Sequence, residues 1–140
     1  RTWDDASGLV YGIPEGWKKL PVSQASSYAS LGCPSIKDAK VLLAADSPKI
    51  FALMWTKPFT GEARWKEADK MLGSSEGALT KVLTFQDGLD MRLYQKKDNV
   101  HLIATRVESD GVLYVITGCS GADIDKTRMP MFQFMRSLVR

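Results

Sequence analysis

Residues 89–117 read LDMRLYQKKDNVHLIATRVESDGVLYVIT. Leu89, Met91 and Leu93 alternate with Asp90, Arg92 and Tyr94, the two-residue period of a strand with one buried face. Lys96-Lys97-Asp98-Asn99 and Ser109-Asp110-Gly111 interrupt the apolar pattern. Asp-Gly accepts the positive φ of a tight hairpin turn, so 89–95, 100–107 and 112–117 are predicted to be consecutive antiparallel strands. Val112-Leu113-Tyr114-Val115-Ile116 is apolar at every position. Such a run needs cover on both faces, which places this strand in the middle of its sheet.

Working outward, 78–85 joins this group through Gln86-Asp87-Gly88 and adds a fourth strand. Residues 41–45 and 50–55 flank Asp46-Ser47-Pro48-Lys49, a strand–turn–strand signal. Residues 9–13 predict a short strand. Pro14-Glu15-Gly16 then turns the chain, and 17–22 predicts a second short strand paired with the first. The Ser- and Ala-rich stretch 23–35 reads as irregular. Between the strand groups lies a helical pattern over 61–72, with Trp65, Ala68, Met71 and Leu72 on one face. Thr60 is placed to cap its start and Gly73 to end it. A second helix falls within 122–139, with Ile124, Met131, Phe132, Met135, Leu138 and Val139 as its apolar stripe. Asp123 and Asp125 suit its start, Arg136 and Arg140 its end. Pro130 predicts a kink or a late start. The fold class is α+β: one domain over 1–140, an antiparallel meander covered by at least two helices.

The 140 residues are 44% hydrophobic and 25% charged, a globular balance that excludes a disordered tail, a collagen-like chain and a disulfide-dense mini-protein. The longest uncharged apolar run, Val41-Leu42-Leu43-Ala44-Ala45, is far short of a transmembrane span. Nineteen Lys+Arg against 16 Asp+Glu leave a net charge of +3, with no basic stripe interleaved with aromatics, so a nucleic-acid partner is not expected. The chain opens on Arg1 rather than Met, which reads as loss of an upstream signal, lipoprotein leader or expression segment.

Groups able to do chemistry are few. His101 is the one histidine and lies in a predicted strand, where a hydrogen-bonded or surface role is expected over catalysis. No spacing fits a metal site, and no cofactor is expected. Gly118-Cys119-Ser120-Gly121 follows a strand and precedes a helix, but it lacks the Gly-x-Ser-x-Gly of a nucleophile elbow. Ser120 or Asp123 is instead expected to cap the helix. Cys33 and Cys119 are too far apart in sequence for a Cys-x-x-Cys pair. They read either as two buried thiols in a reducing compartment or as one disulfide in an exported protein. Trp17, Trp55 and Phe59 would form an aromatic cleft for a ligand or partner if they met at one end of the sheet; the alternative is ordinary core and rim packing.

Three stretches resemble the PsbP/DcrB-like superfamily. Tyr11-Gly12-Ile13-Pro14-Glu15-Gly16-Trp17 is similar to that family's opening strand and turn, Gly111-Val112-Leu113-Tyr114-Val115-Ile116 to its last strand, and Phe134-Met135-Arg136-Ser137-Leu138 to the end of its closing helix. Their order and spacing fit along almost the whole chain. Residues 23–35 and the two cysteines have no counterpart in that pattern. The resemblance implies a curved antiparallel sheet of about six strands flanked by helices, an α/β/α sandwich. It also implies a non-catalytic accessory or protein-binding domain, since extrinsic photosystem subunits, periplasmic lipoproteins, nuclear-transport factors and secretion chaperones share that plan. The expectation is a monomeric, exported envelope protein, periplasmic or secreted. It would be anchored, where anchored at all, through a removed N-terminal lipid site, and would hold another protein or envelope component. A small-ligand carrier or small enzyme on a cystatin-like curved sheet is the alternative, and a photosynthetic-complex subunit a third.

Overall fold

A computed structural model describes residues 2–58, 63–71, 78–84, 90–96, 98–108 and 111–138. Among them the chain forms β1 (Thr2–Asp4), β2 (Leu9–Tyr11), β3 (Lys18–Leu20), a 3-10 helix (Val22–Leu31), β4 (Val41–Asp46) and β5 (Lys49–Lys57). Then come α1 (Ala63–Met71), β6 (Ala78–Thr84), β7 (Asp90–Lys96), β8 (Asn99–Glu108), β9 (Gly111–Ser120) and α2 (Ile124–Ser137). Phe59, Thr60, Gly73 and the 86–88 joint lie outside the described residues.

Seven strands make one antiparallel sheet in the order β3-β4-β5-β9-β8-β7-β6. The strand that is apolar throughout, β9, stands fourth of the seven, at the centre. Sequential hairpins account for β6 to β9. The pairing of β5 with β9 closes the sheet, in a register that sets Leu53 opposite Ile116 and Trp55 opposite Tyr114.

Alternation along the central strands sorts their side chains into two cores. On one face Ile50, Ala52 and Met54 of β5 and Leu113, Val115 and Cys119 of β9 pack with Met131, Phe134 and Met135 of α2 and with Leu138 just past its end. On the other, Phe51, Leu53 and Trp55 with Val112, Tyr114 and Ile116 pack with Tyr28 and Leu31 of the 3-10 helix and Trp65 and Ala68 of α1. The architecture is therefore α+β, with helices on both faces of the sheet.

Three local expectations change. Residues 22–31 are not irregular. Val22, Ala25, Tyr28 and Leu31 recur every third residue, and side chains three apart eclipse in a 3-10 helix, so this spacing makes one ridge. Tyr28 and Leu31 are buried in it. Ten residues is long for such a helix, and the sheet holds it. The Tyr28 ring lies 6.4 Å from Phe51, and Lys49 Nζ sits 4.9 Å over its face and donates to the Ser27 carbonyl at 3.1 Å. Gly32, at φ +79°, ends the helix, a backbone state that favours glycine.

Second, β2 pairs with β1 rather than with 17–22; β3 instead lies along β4. The reason is a polar knot at the start of the chain. The buried Asp4 carboxylate accepts from the Ala6 and Ser7 amides at 3.1 and 3.3 Å, closing the turn between β1 and β2. It also accepts from the Tyr11 hydroxyl at 2.5 Å and from the Lys19 ammonium. One carboxylate thus joins β1, β2 and β3. Third, α2 does not start late: it runs from Ile124 through Pro130 to Ser137. Its buried stripe and Thr127 anchor both halves to the sheet, so the proline costs one in-helix bond, the one to the Lys126 carbonyl four residues back.

The Lys19 and Tyr11 hydrogen bonds hold the Asp4 carboxyl well below the ordinary carboxylate range. A depressed folded pKa stabilises the protein above the unfolded value of about 4, and that stabilisation is withdrawn as pH falls below it. Asp4→Asn is expected to cost about 1–3 kcal/mol at pH 7. In urea titrations followed by circular dichroism, the gap between wild type and variant should narrow steadily from pH 5 to pH 2. A gap independent of pH would remove the knot from the stability account.

Candidate functional site

Each residue with chemical potential can be followed to its place. His101, on β8, is buried, with its Nε2 2.7 Å from the Leu31 carbonyl oxygen. A carbonyl can only accept, so Nε2 carries the proton there. Two positions along the strand, the Asn99 side-chain amide donates to the Ser30 carbonyl at 3.2 Å. Together they hold the last carbonyls of the 3-10 helix to the sheet. Glycines make room for the ring. A Cβ on Gly32 would come 2.5 Å from His101 Nε2, and one on Gly118 would come 2.5 Å from its Cδ2 and 2.7 Å from Phe51 Cε1. The histidine is a clasp between layers. The first glycine of the Gly118-Cys119-Ser120-Gly121 stretch serves that clasp rather than an elbow, and β9 ends within the stretch, at Ser120.

Ser120 caps the 3-10 turn Gly121–Asp123, its Oγ accepting from the Ala122 amide at 3.2 Å. The disulfide reading of Cys33 and Cys119 is corrected. Both are free thiols on opposite faces: Cys33 packs beside the Tyr28 core, and Cys119 is buried in the α2 core with its Sγ 2.9 Å from Thr127 Oγ1. The sheet stands between them. Burial pushes the Cys33 thiol up to about 12 and raises that of Cys119, so neither is a thiolate nucleophile near neutral pH.

The aromatic cleft is corrected by the same parity. Trp55 is buried under α1, stacked on Tyr114 with ring centroids 5.5 Å apart and planes 7° apart. Trp17 lies on the other face, 5.3 Å from the Phe134 ring of α2. They do not converge, and Phe59 lies outside the described residues.

Trp17 does line a site, with partners the sequence reading did not name. The 12–17 turn, the two-residue Ser47-Pro48 turn between β4 and β5, and the outer side of α2 enclose a groove of about 540 Å³. Trp17 and Phe134 form its floor, and Ile13, Pro14, Pro48 and Pro130 its walls. Three prolines make these walls stiff and poor in N–H donors. Lys126, whose carbonyl has no Pro130 N–H to bond, also borders the groove, as does Glu15. No short motif marks the site, because it is assembled from three separated segments.

No described residues group three or more metal-ligating side chains, and no described helix is long and apolar enough to cross a membrane. Comparison of the chain with protein-family models and with curated proteins found no match.

Two substitutions test this account. Trp55 Nε1 and Tyr114 Oη are both buried without a hydrogen-bond partner among the described residues, and burial pushes the Tyr114 phenol up to about 12. An unmade bond is a standing cost, so Tyr114→Phe is expected to leave stability unchanged or raise it by up to about 1 kcal/mol. A loss of about 2 kcal/mol or more in chemical denaturation would show that the hydroxyl has a stabilising partner. Gly118→Ala is expected to cost about 1–3 kcal/mol by overpacking against His101 and Phe51. Unaltered stability would show that the His101 clasp yields freely.

Proposed function

We propose that this protein is a non-catalytic accessory domain that binds another protein or an envelope component through its surface, as the resemblance to the PsbP/DcrB-like superfamily implies. The observation that carries the reading is how the reactive groups are employed. The histidine clasps the 3-10 helix, the serine caps a turn, and the thiols are held protonated by burial. What faces outward instead is the Trp17–Phe134 groove. An aromatic floor with stiff apolar walls suits an inserted side chain of a partner, since buried aromatics dominate the energy of protein interfaces. Glu15 and Lys126 at its border offer one charge of each sign for orientation.

An exported, envelope location follows from the resemblance to periplasmic lipoproteins. The cysteines lend it nothing, because they lie on opposite faces of the sheet.

A photo-cross-linking residue at Ile13, 40% exposed on the groove wall, is compared with one at Val107, 59% exposed and outside the groove. In native envelope extract the Ile13 position should yield a discrete adduct that the Val107 position does not. Trp17→Ala should reduce its yield about tenfold or more, as loss of an interface anchor does. Equal adducts from both positions, or no effect of Trp17→Ala, would sink the groove as the contact. Cell fractionation with the natural gene tests location separately: recovery in the cytosolic fraction would overturn export.

A further inference from the structure

The strands run between two ends, with a cleft at each. Where the β8–β9 hairpin turns, one of about 560 Å³ borders Trp3, Pro58, Arg106, Glu108 and Val112. Its Arg106 is engaged within the fold: Nε and Nη2 donate to the Glu108 carboxylate at 3.0 and 2.8 Å, and Nη1 donates to the Leu138 carbonyl. The Trp17 groove, at the end near the β4–β5 turn, is built differently.

Its floor is two rings, Trp17 and Phe134, with centroids 5.3 Å apart and planes inclined at 34°. Its walls are apolar, and three of the residues in them are prolines. The Trp17 amide donates to the Pro14 carbonyl at 3.0 Å, which fixes the turn that carries the ring. The indole N–H is in a different state. No described residue accepts from it, and the atom is not buried. Such a donor, carried by a ring of the floor, calls for an acceptor on whatever fills the groove. Glu15 and Lys126 add one charge of each sign to the border, so the groove selects neither a strongly acidic nor a strongly basic occupant.

Resting on the reading of this groove as the partner contact, we propose that its occupant is a proline-rich segment of another protein in the polyproline II conformation. Its pyrrolidine rings lie on Trp17 and Phe134, and one of its main-chain carbonyls accepts from the Trp17 indole N–H. The state of the backbone selects this partner. A helix already uses its carbonyls on its own amides. An added strand needs a row of free amides and carbonyls along a sheet edge, and the prolines in the walls offer no N–H at three positions. A polyproline II segment makes no internal hydrogen bonds, so every carbonyl stays available to the indole. With about three residues per turn it also sets flat apolar rings along each edge, the shape that aromatic grooves take up. Its fixed φ leaves it less conformational freedom to lose in a stiff site.

Capped decaproline is the probe, titrated into the intact chain and followed by heteronuclear NMR. The Trp17 indole resonance, assigned through its loss in Trp17→Phe, should move saturably. Trp17→Phe keeps a ring and removes the donor, so binding read on the Ile13 amide should weaken about fivefold. Ile13→Asp sets a carboxylate against the pyrrolidine rings and should weaken binding about tenfold. Ile13 is exposed, so that variant keeps the test valid should Trp17→Phe disturb the fold. No saturation, or unchanged affinity in Trp17→Phe or Ile13→Asp, overturns the proposal. Equal binding of a capped amphipathic leucine–lysine helix overturns it in favour of a helical partner. Self-association in sedimentation that Ile13→Asp abolishes overturns it in favour of a second copy of the chain. The Ile13 photo-adduct from envelope extract separates this inference from the reading beneath it. Decaproline that competes the adduct away supports both. A Trp17-dependent adduct that decaproline leaves intact keeps the groove as the contact and overturns the proline-rich partner.

Discussion

The structure depends on a strand that water cannot touch. β9 is buried along nearly its whole length, Val112, Tyr114 and Ile116 on one face and Leu113, Val115 and Cys119 on the other. A sheet with such a strand at its centre must be covered twice, because each bare apolar face loses roughly 25 cal/mol for every Å² returned to water. One face receives α2, a long amphipathic helix. The other is covered piecemeal by α1 and by a ten-residue 3-10 helix, a conformation whose poorer hydrogen-bond geometry gives it little stability of its own. That cover has to be fastened, and His101 and Asn99 fasten it.

This explains where the chemistry of the sequence went. A histidine, a glycine-flanked serine and two thiols are reactive only when partly exposed and suitably partnered. Here the histidine answers the carbonyls at the end of a weak helix, the serine answers an amide at the start of a turn, and the thiols fill cores. The surface function proposed above and the architecture share this origin: a sheet that needs two covers uses its polar groups to hold them.

What could be read from the sequence follows the same division. The β6–β9 meander, the β4–β5 hairpin, the central rank of β9 and both α-helices rest on local period and turn residues, and these were legible. The α1 face was read through Trp65 and Ala68. The 3-10 helix was missed because its signal is a period of three, carried by Val22, Ala25, Tyr28 and Leu31 among serines that also suit a loop. The partner of β2 was missed because the Asp4 knot joins three strands through side chains, and no local pattern records that. The disulfide and the Trp17–Trp55–Phe59 cleft failed for one reason. Which face a side chain occupies depends on strand register, and register between β3, β4, β5 and β9 is set by long-range pairing. A shift of one residue would have exchanged Trp55 with Met54.

Both clefts form where connections meet the ends of strands, and this too follows from the doubly covered sheet. Along the middle of the central strands β5 and β9 no surface remains. Recognition must be built from turns, and the turns here are stiffened by residues that suit a preformed site. Pro14, Pro48 and Pro130 border one end, and Gly111 closes the other against Lys57. The two ends differ in chemistry because the strand termini differ. β4 ends and β5 begins around a proline turn beside aromatic rings. At the other end Trp3 and Pro58 lie near the β8–β9 hairpin, where Arg106 is paired with Glu108. A single sheet thus presents an apolar groove at one pole and a more polar cleft at the other. Because the strands between them are continuous and fully packed, occupation of one is expected to leave the geometry of the other unchanged.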